Sequence, residues 1–212
     1  MKGKEYVDRK KIEPDIAIHY FKGRSYKDEA KWDMSLNEYN KAIKLNPEDC
    51  DGYYERAWIF HRKKAYKKEV SDWSKVLEFD SKKYPPSHIY ERRAEAYEKL
   101  KKYERAIADF SRVIELTDDW ASPYLQRARV YDKAGEYEKA IADYSRVIKL
   151  TEDRGNILLD LRNLQRAAVY EKKGEYEKAI MDYKKAAELT KVEDVKKQIN
   201  NSVEKLNKKL NR

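Results

Sequence analysis

"GEYEKAIADYSRVIKL", Gly135 to Leu150, is written three times in this chain. It returns as "GEYEKAIMDYKKAAEL" from Gly174 to Leu189 and stands earlier as "KKYERAIADFSRVIEL" from Lys101 to Leu116. Aligned on its aromatic and small residues, the phrase is found five times: Trp32–Tyr39, Tyr66–Trp73, Tyr103–Phe110, Tyr137–Tyr144 and Tyr176–Tyr183. The copies begin 34, 37, 34 and 39 residues apart. A catalytic site is not built by repeating one phrase, whereas a stacked architecture is.

A second phrase precedes each copy: "HYFKGRSY", "YYERAWIF", "YERRAEAY", "YLQRARVY" and "NLQRAAVY". It carries a small residue (Gly23, Ala57, Ala94, Ala128, Ala167) with an aromatic three positions on (Tyr26, Phe60, Tyr97, Tyr131, Tyr170). In the fourth copy Tyr124, Ala128 and Tyr131 fall at helical spacing, and Tyr137, Ala140, Ile141, Tyr144 and Ile148 form a second apolar stripe. "KAGE" breaks the chain between them, with Gly135 suited to a helix C-terminus and Ser122-Pro123 to a helix start. Each unit reads as a helical hairpin whose core is too small to stand alone.

The period, the small-to-aromatic spacing and the "G-x-Y-x-x-A-I-x-x-Y" second helix resemble the tetratricopeptide repeat (TPR) family. The resemblance divides the chain into a charged tail or short cap (1–15), five hairpins (16–49, 50–83, 87–120, 121–154, 160–193) and a final segment, 194–212. In that segment Val195, Ile199, Val203, Leu206 and Leu210 form one apolar stripe, as expected of a helix capping the last repeat. The expected fold is all-α, a right-handed TPR-type solenoid of helical hairpins with a C-terminal capping helix. Only the first unit keeps the family's closing proline, Pro47, and Glu69 stands where the other units have Ser35, Ala106, Ala140 and Ala179. That departure predicts looser packing in the second unit.

The totals agree. Charged residues are 41% of the 212, but 18 tyrosines argue against disorder, and only 6 Gly and 5 Pro leave little room for loops. A single cysteine, Cys50, permits no internal disulfide. No apolar run approaches the ~18 residues of a membrane span, and no apolar stretch follows the charged start, so the chain reads as soluble and cytoplasmic. No phosphate loop or nucleophile motif is present, and three histidines do not make a metal set. No enzyme activity, metal or cofactor is expected. His19 reads as a packing residue, as do Trp32, Trp73 and Trp120.

Five units serve as an internal alignment, in which repeating columns are architecture and varying columns are available to a partner. One repeating pair is charged: Lys22, Arg56, Arg93, Arg127 and Arg166, each followed sixteen residues later by Glu38, Asp72, Asp109, Asp143 or Asp182. Five equivalent pairs cannot converge on one substrate, so they read as ion pairs holding helices together. By the resemblance, the first helix of each hairpin lines a concave groove. Its varying residues include Tyr20, Arg24 and Lys27 in the first unit; Tyr54, Trp58 and His61 in the second; and His88, Glu91, Glu95 and Glu98 in the third. Leu125 and Arg129 belong to the fourth, and Leu161 and Leu164 to the fifth. The positions of the family's carboxylate clamp hold Tyr20, Arg24, Glu55, His88 and Arg92, so binding of that kind is not expected. The insertion "GNILL" at 155–159 is expected to extend the fifth unit's first helix backward and to align Ile157, Leu161, Leu164 and Ala168 as an apolar groove stripe.

The net charge of +9 is concentrated in the second unit and the cap. It suits an acidic partner but lacks the basic-aromatic ladder of a nucleic-acid surface. The expected function is non-enzymatic binding of a protein or peptide partner in the groove. The alternatives are a homo-oligomer using the apolar patch, or polyanion binding through the basic cap. No membrane role is expected.

Overall fold

The computed structural model describes residues 9–79, 82–117, 120–152 and 159–211, and these form eleven α-helices and no strand. They are α1 (Arg9–Asp28), α2 (Trp32–Leu45), α3 (Cys50–Arg62), α4 (Tyr66–Glu78), α5 (Pro86–Lys99), α6 (Tyr103–Leu116), α7 (Ala121–Ala134), α8 (Tyr137–Glu152), α9 (Leu159–Lys173), α10 (Tyr176–Leu189) and α11 (Glu193–Leu210). The chain is thus an all-α solenoid of repeated helix pairs closed by a longer terminal helix. It divides into two units, Met1–Lys102 with α1 to α5 and Tyr103–Arg212 with α6 to α11.

The hairpin turns are built from the backbone. Ala30, Lys64, Lys101, Gly135 and Gly174 all have positive φ, between 56° and 84°. In each turn the N–H of this residue donates to the carbonyl three residues back, at 2.9–3.1 Å. The next N–H donates to the carbonyl of the preceding aromatic: Tyr26, Phe60, Tyr97, Tyr131 or Tyr170, at 2.8–2.9 Å. This is the Schellman closure, which satisfies carbonyls orphaned by the helix end. The last two turns use glycine, while the first three hold an L-residue in left-handed geometry.

The small columns let the helices touch. Ala57, Ala94, Ala128 and Ala167 have no exposed surface, and a Cβ on Gly23 would lie 2.6 Å from the Tyr39 ring. Tyr39, Trp73, Phe110 and Tyr144 fill the buried aromatic column of the second helices. The cap α11 inserts Val203 and Leu206 beside Ala179 and Ile180, and Ile199 beside Ala186 and Ala187. Burying such side chains supplies roughly 1.5–3 kcal/mol each for the large ones. Trp120 departs from the expected packing role: it is the residue before α7 and is 57% exposed.

The charged columns are realised as forks. Arg56 Nε and Nη2 donate to both Asp72 oxygens at 2.8 Å, Arg127 grips Asp143 at 2.8 and 2.9 Å, and Arg166 grips Asp182 at 2.7 Å twice. The remaining Nη1 reaches the preceding hairpin: Arg56 to Asn40 Oδ1 (2.7 Å), Arg93 to Ser74 Oγ (3.0 Å), Arg127 to Ser111 Oγ (2.9 Å) and Arg166 to Ser145 Oγ (2.8 Å). Those serine hydroxyls donate in turn to the carbonyl four residues back. The first hairpin differs. Lys22 is exposed, and Glu38 is held by His19 Nδ1 and Lys41 Nζ, each at 2.7 Å. A lysine ammonium lacks the planar fork, and the imidazole three residues earlier replaces it.

Two expected outcomes follow. Arg127→Ala leaves Asp143 buried and unpaired and should cost about 3–5 kcal/mol in urea unfolding. Lys64→Gly relieves the left-handed strain and should stabilise by about 1 kcal/mol, because the gain of about 1–2 kcal/mol is partly offset by glycine's greater freedom when unfolded. An unchanged urea midpoint would contradict either.

Candidate functional site

In the first unit expected groove residues from α3 and α5 gather around an aromatic floor, and others from α1 stand at its edge. Trp73 lies fully buried beneath it. Tyr54 meets Trp73 edge-on at 5.3 Å and stacks flat on Tyr84, centroids 3.9 Å apart. Trp58 stands perpendicular to Trp73 at 5.9 Å, with His61 at 6.2 Å and His88 at 6.3 Å. The Arg92 guanidinium lies 5.4 Å from the Trp58 centroid, while its Nη1 donates to Glu95 at 2.9 Å and Nη2 comes within 4.0 Å of Glu91. Trp58 is half-buried and packs on the core.

The basic rim is on α1. Lys27 Nζ lies 2.7 Å from Glu55 Oε2, and Arg24 Nε lies 3.5 Å from Glu55 Oε1. Glu55 thus occupies two cations that a partner's carboxylate would otherwise meet. Between α1 and α3 opens a cleft of about 490 Å³, lined by Lys27, Asp28, Trp32, Tyr54, Glu55, Trp58, Ile59 and Arg62. Tyr20 anchors the cleft's neighbour helix by donating to Asp49 Oδ2 at 3.0 Å. Burial and Asp49 push its hydroxyl far above the ordinary tyrosine range.

Glu69 does not loosen the second hairpin as its size suggests. It is 1% exposed, and its Oε1 accepts from Trp73 Nε1 at 3.2 Å and faces His61 Nδ1 at 3.1 Å. A long side chain fits the small-residue column because the indole and imidazole supply partners. Oε2 has none. Burial pushes the Glu69 carboxyl above its ordinary 4.5, against the pull of Trp73 and His61. Burial likewise raises Glu95 and lowers His88.

In the second unit Leu125 packs beside Ala128, Ala140, Tyr144 and Val169, and Arg129 bonds Gln126 on its own helix at 3.3 Å. Leu161 is 41% exposed, but Leu164 packs against Ala186, Ala187 and Ile199 under the cap. The apolar stripe expected from these two leucines is therefore divided, since α11 draws Leu164 into the core. Ile157 lies outside the described residues, and α9 runs from Leu159. Tyr84, in the inserted "YPP", is a site residue that sequence reasoning missed; the signal was an aromatic in an insertion. Asp49, Cys50 and Asp51 offer donor atoms within 4.8 Å of one another. Asp49, however, caps α3 and accepts from Tyr20, and Asp51 is engaged by Lys83 and Tyr84. No helix among the described residues is long and apolar enough to cross a membrane.

A stability difference follows from Glu69. A carboxyl raised on folding contributes stability that is complete below 4.5 and is lost as pH rises through the folded value. Relative to Glu69→Gln, wild type should lose stability from pH 4.5 upward. Urea midpoints read at several pH values check this, and a pH-independent difference would contradict it.

Comparison with known proteins agrees with this architecture. TPR-repeat models match residues 23–64, and tetratricopeptide-repeat models match 87–120, 121–154 and 162–192. No curated protein matches the chain. Among solved structures, a crystal structure of MamA protein is 21% identical, covers 82% of this chain and 91% of its own, and superposes with a TM-score of 0.71. YrrB, described as a TPR protein with an unusual peptide-binding site, is 17% identical over 84% of this chain and 88% of its own, TM-score 0.67. TTC0263, a thermophilic TPR protein from Thermus thermophilus, is 20% identical over 91% and 98%, TM-score 0.52. The repeats, their hairpins and the matching repeat models place the chain in the tetratricopeptide repeat family.

Proposed function

We propose that the chain is a protein-binding scaffold and that the first unit's cleft receives an apolar or aromatic side chain of a partner segment. The single observation carrying this reading is the half-buried Trp58 at the wall of a cleft of about 490 Å³, beside Trp32, Tyr54 and Ile59. A large aromatic in a partly desolvated pocket beside arginine has the character of a binding hot spot. Tyr54 and Trp73 hold the indole by edge contacts, so little side-chain freedom is lost on binding. Glu55 neutralises Lys27 and Arg24, which favours an apolar anchor in the cleft over a terminal carboxylate.

Selecting displayed peptides on the full chain tests the reading. Selected ligands should share an apolar or aromatic anchor, and Trp58→Ala should weaken them by at least roughly tenfold, given ~2 kcal/mol for such an anchor, with helicity unchanged. Equal affinity for wild type and Trp58→Ala would overturn it.

A further inference from the structure

In the second unit Arg112, Arg127 and Arg166 are matched to carboxylates, and Lys172 of α9 is held by Asp132 of α7 at 2.6 and 2.7 Å. Arg129 on α7 and Arg162 on α9 are not matched by any carboxylate among the described residues. Both are half-buried, and among the described residues neither has a carboxylate within 4.0 Å. Each is bonded only to a glutamine of its own helix, Arg129 Nη1 to Gln126 at 3.3 Å and Arg162 Nη1 to Gln165 at 3.0 Å. Among the described residues the buried Arg162 Nε has no hydrogen-bond partner.

Ala128 of α7 and Val169 of α9 belong to one buried cluster with Tyr144, the Lys172–Asp132 pair bridges the two helices, and both guanidiniums act on the Tyr144 hydroxyl. Burial, with the positive charge of Arg129 added, holds Arg162 below the usual guanidinium range. An arginine cannot relieve such repulsion by losing its proton near neutral pH. Two half-desolvated like charges with spare donors are unfavourable unless an anion joins them.

We propose that Arg129 and Arg162 form a carboxylate-binding subsite on the face shared by α7 and α9, filled by an acidic side chain of a partner protein with an aliphatic residue beside it. The planar forks suit a carboxylate bidentately. Leu161, 41% exposed on α9, supplies the apolar neighbour. A nucleic-acid tract is disfavoured, because phosphates call for a row of free cations. Here Arg127, Arg166, Lys172 and Lys173 already hold carboxylates. The subsite stands independently of the Trp58 cleft.

The test uses the full chain and a fluorescein-labelled Leu-Glu-Glu-Leu peptide with a blocked C-terminus, beside its Leu-Gln-Gln-Leu counterpart, read by fluorescence polarisation. Wild type should bind the glutamate peptide at least about tenfold more tightly than the neutral one. Arg129→Met and Arg162→Met should each remove at least about fivefold, whereas Lys149→Met, which deletes the same charge at an exposed position of α8, should not. Arg162→Lys keeps the charge and loses the fork; it should also weaken binding, and it serves if Arg162→Met fails to fold. Arg162→Met should raise the thermal midpoint, since it removes an unpaired half-buried cation. Equal binding of the two peptides, or an equal loss in Lys149→Met, would overturn the subsite. A lowered midpoint in both methionine variants would assign a structural role instead. Displacement by oligothymidylate at lower concentration than by unlabelled peptide would assign the site to nucleic acid and overturn the peptide reading.

Discussion

The second, fourth and fifth hairpins depend on an arginine whose three reachable nitrogens do different jobs. Two close on an aspartate of the same hairpin, as in Arg127 with Asp143, and the third crosses to Ser111 of the hairpin before. The aspartates are buried, so the pair adds little net stability over an apolar pair of the same shape. Its value is geometric. A fork fixes both the angle between two helices and the register of the next, which dispersion between alanines and aromatics alone leaves loose. Tyrosine rings on both sides of the guanidinium, Tyr124 and Tyr131 around Arg127, keep it in that position.

That constraint explains what was legible in the sequence. Column residues act identically in every unit, so five copies reveal them: the small residues, the aromatic column and the Arg–Asp forks were all readable before any coordinates. Legibility ended where one unit solved the problem differently. The first hairpin replaced Lys22 by His19, and the second seated Glu69 among alanine-sized equivalents by pairing it with Trp73 and His61. Neither exchange leaves a periodic trace. Leu164 and Arg162 show the same limit, since their surroundings are set by α11 and by α7, elements far away in sequence.

The two units present different chemistry on comparable helices. In the first, Glu55 satisfies Arg24 and Lys27 internally, leaving an aromatic cleft as the distinctive feature. In the second, no carboxylate among the described residues plays that part for Arg129 and Arg162, and the charge is left uncompensated. The repeated columns hold the backbone so uniformly that the variable positions can differ this much without disturbing the fold.

The turns carry a consequence of another kind. A Cβ built on Gly135 or Gly174 meets nothing within 4 Å, so bulk is not what confines these sites to glycine. Only the sign of φ does, and that preference belongs to the chirality of the amino acid rather than to its size. The closure therefore selects by handedness. A mirror-image residue, whose own favoured region is left-handed, meets at every one of these five corners the conformation it prefers.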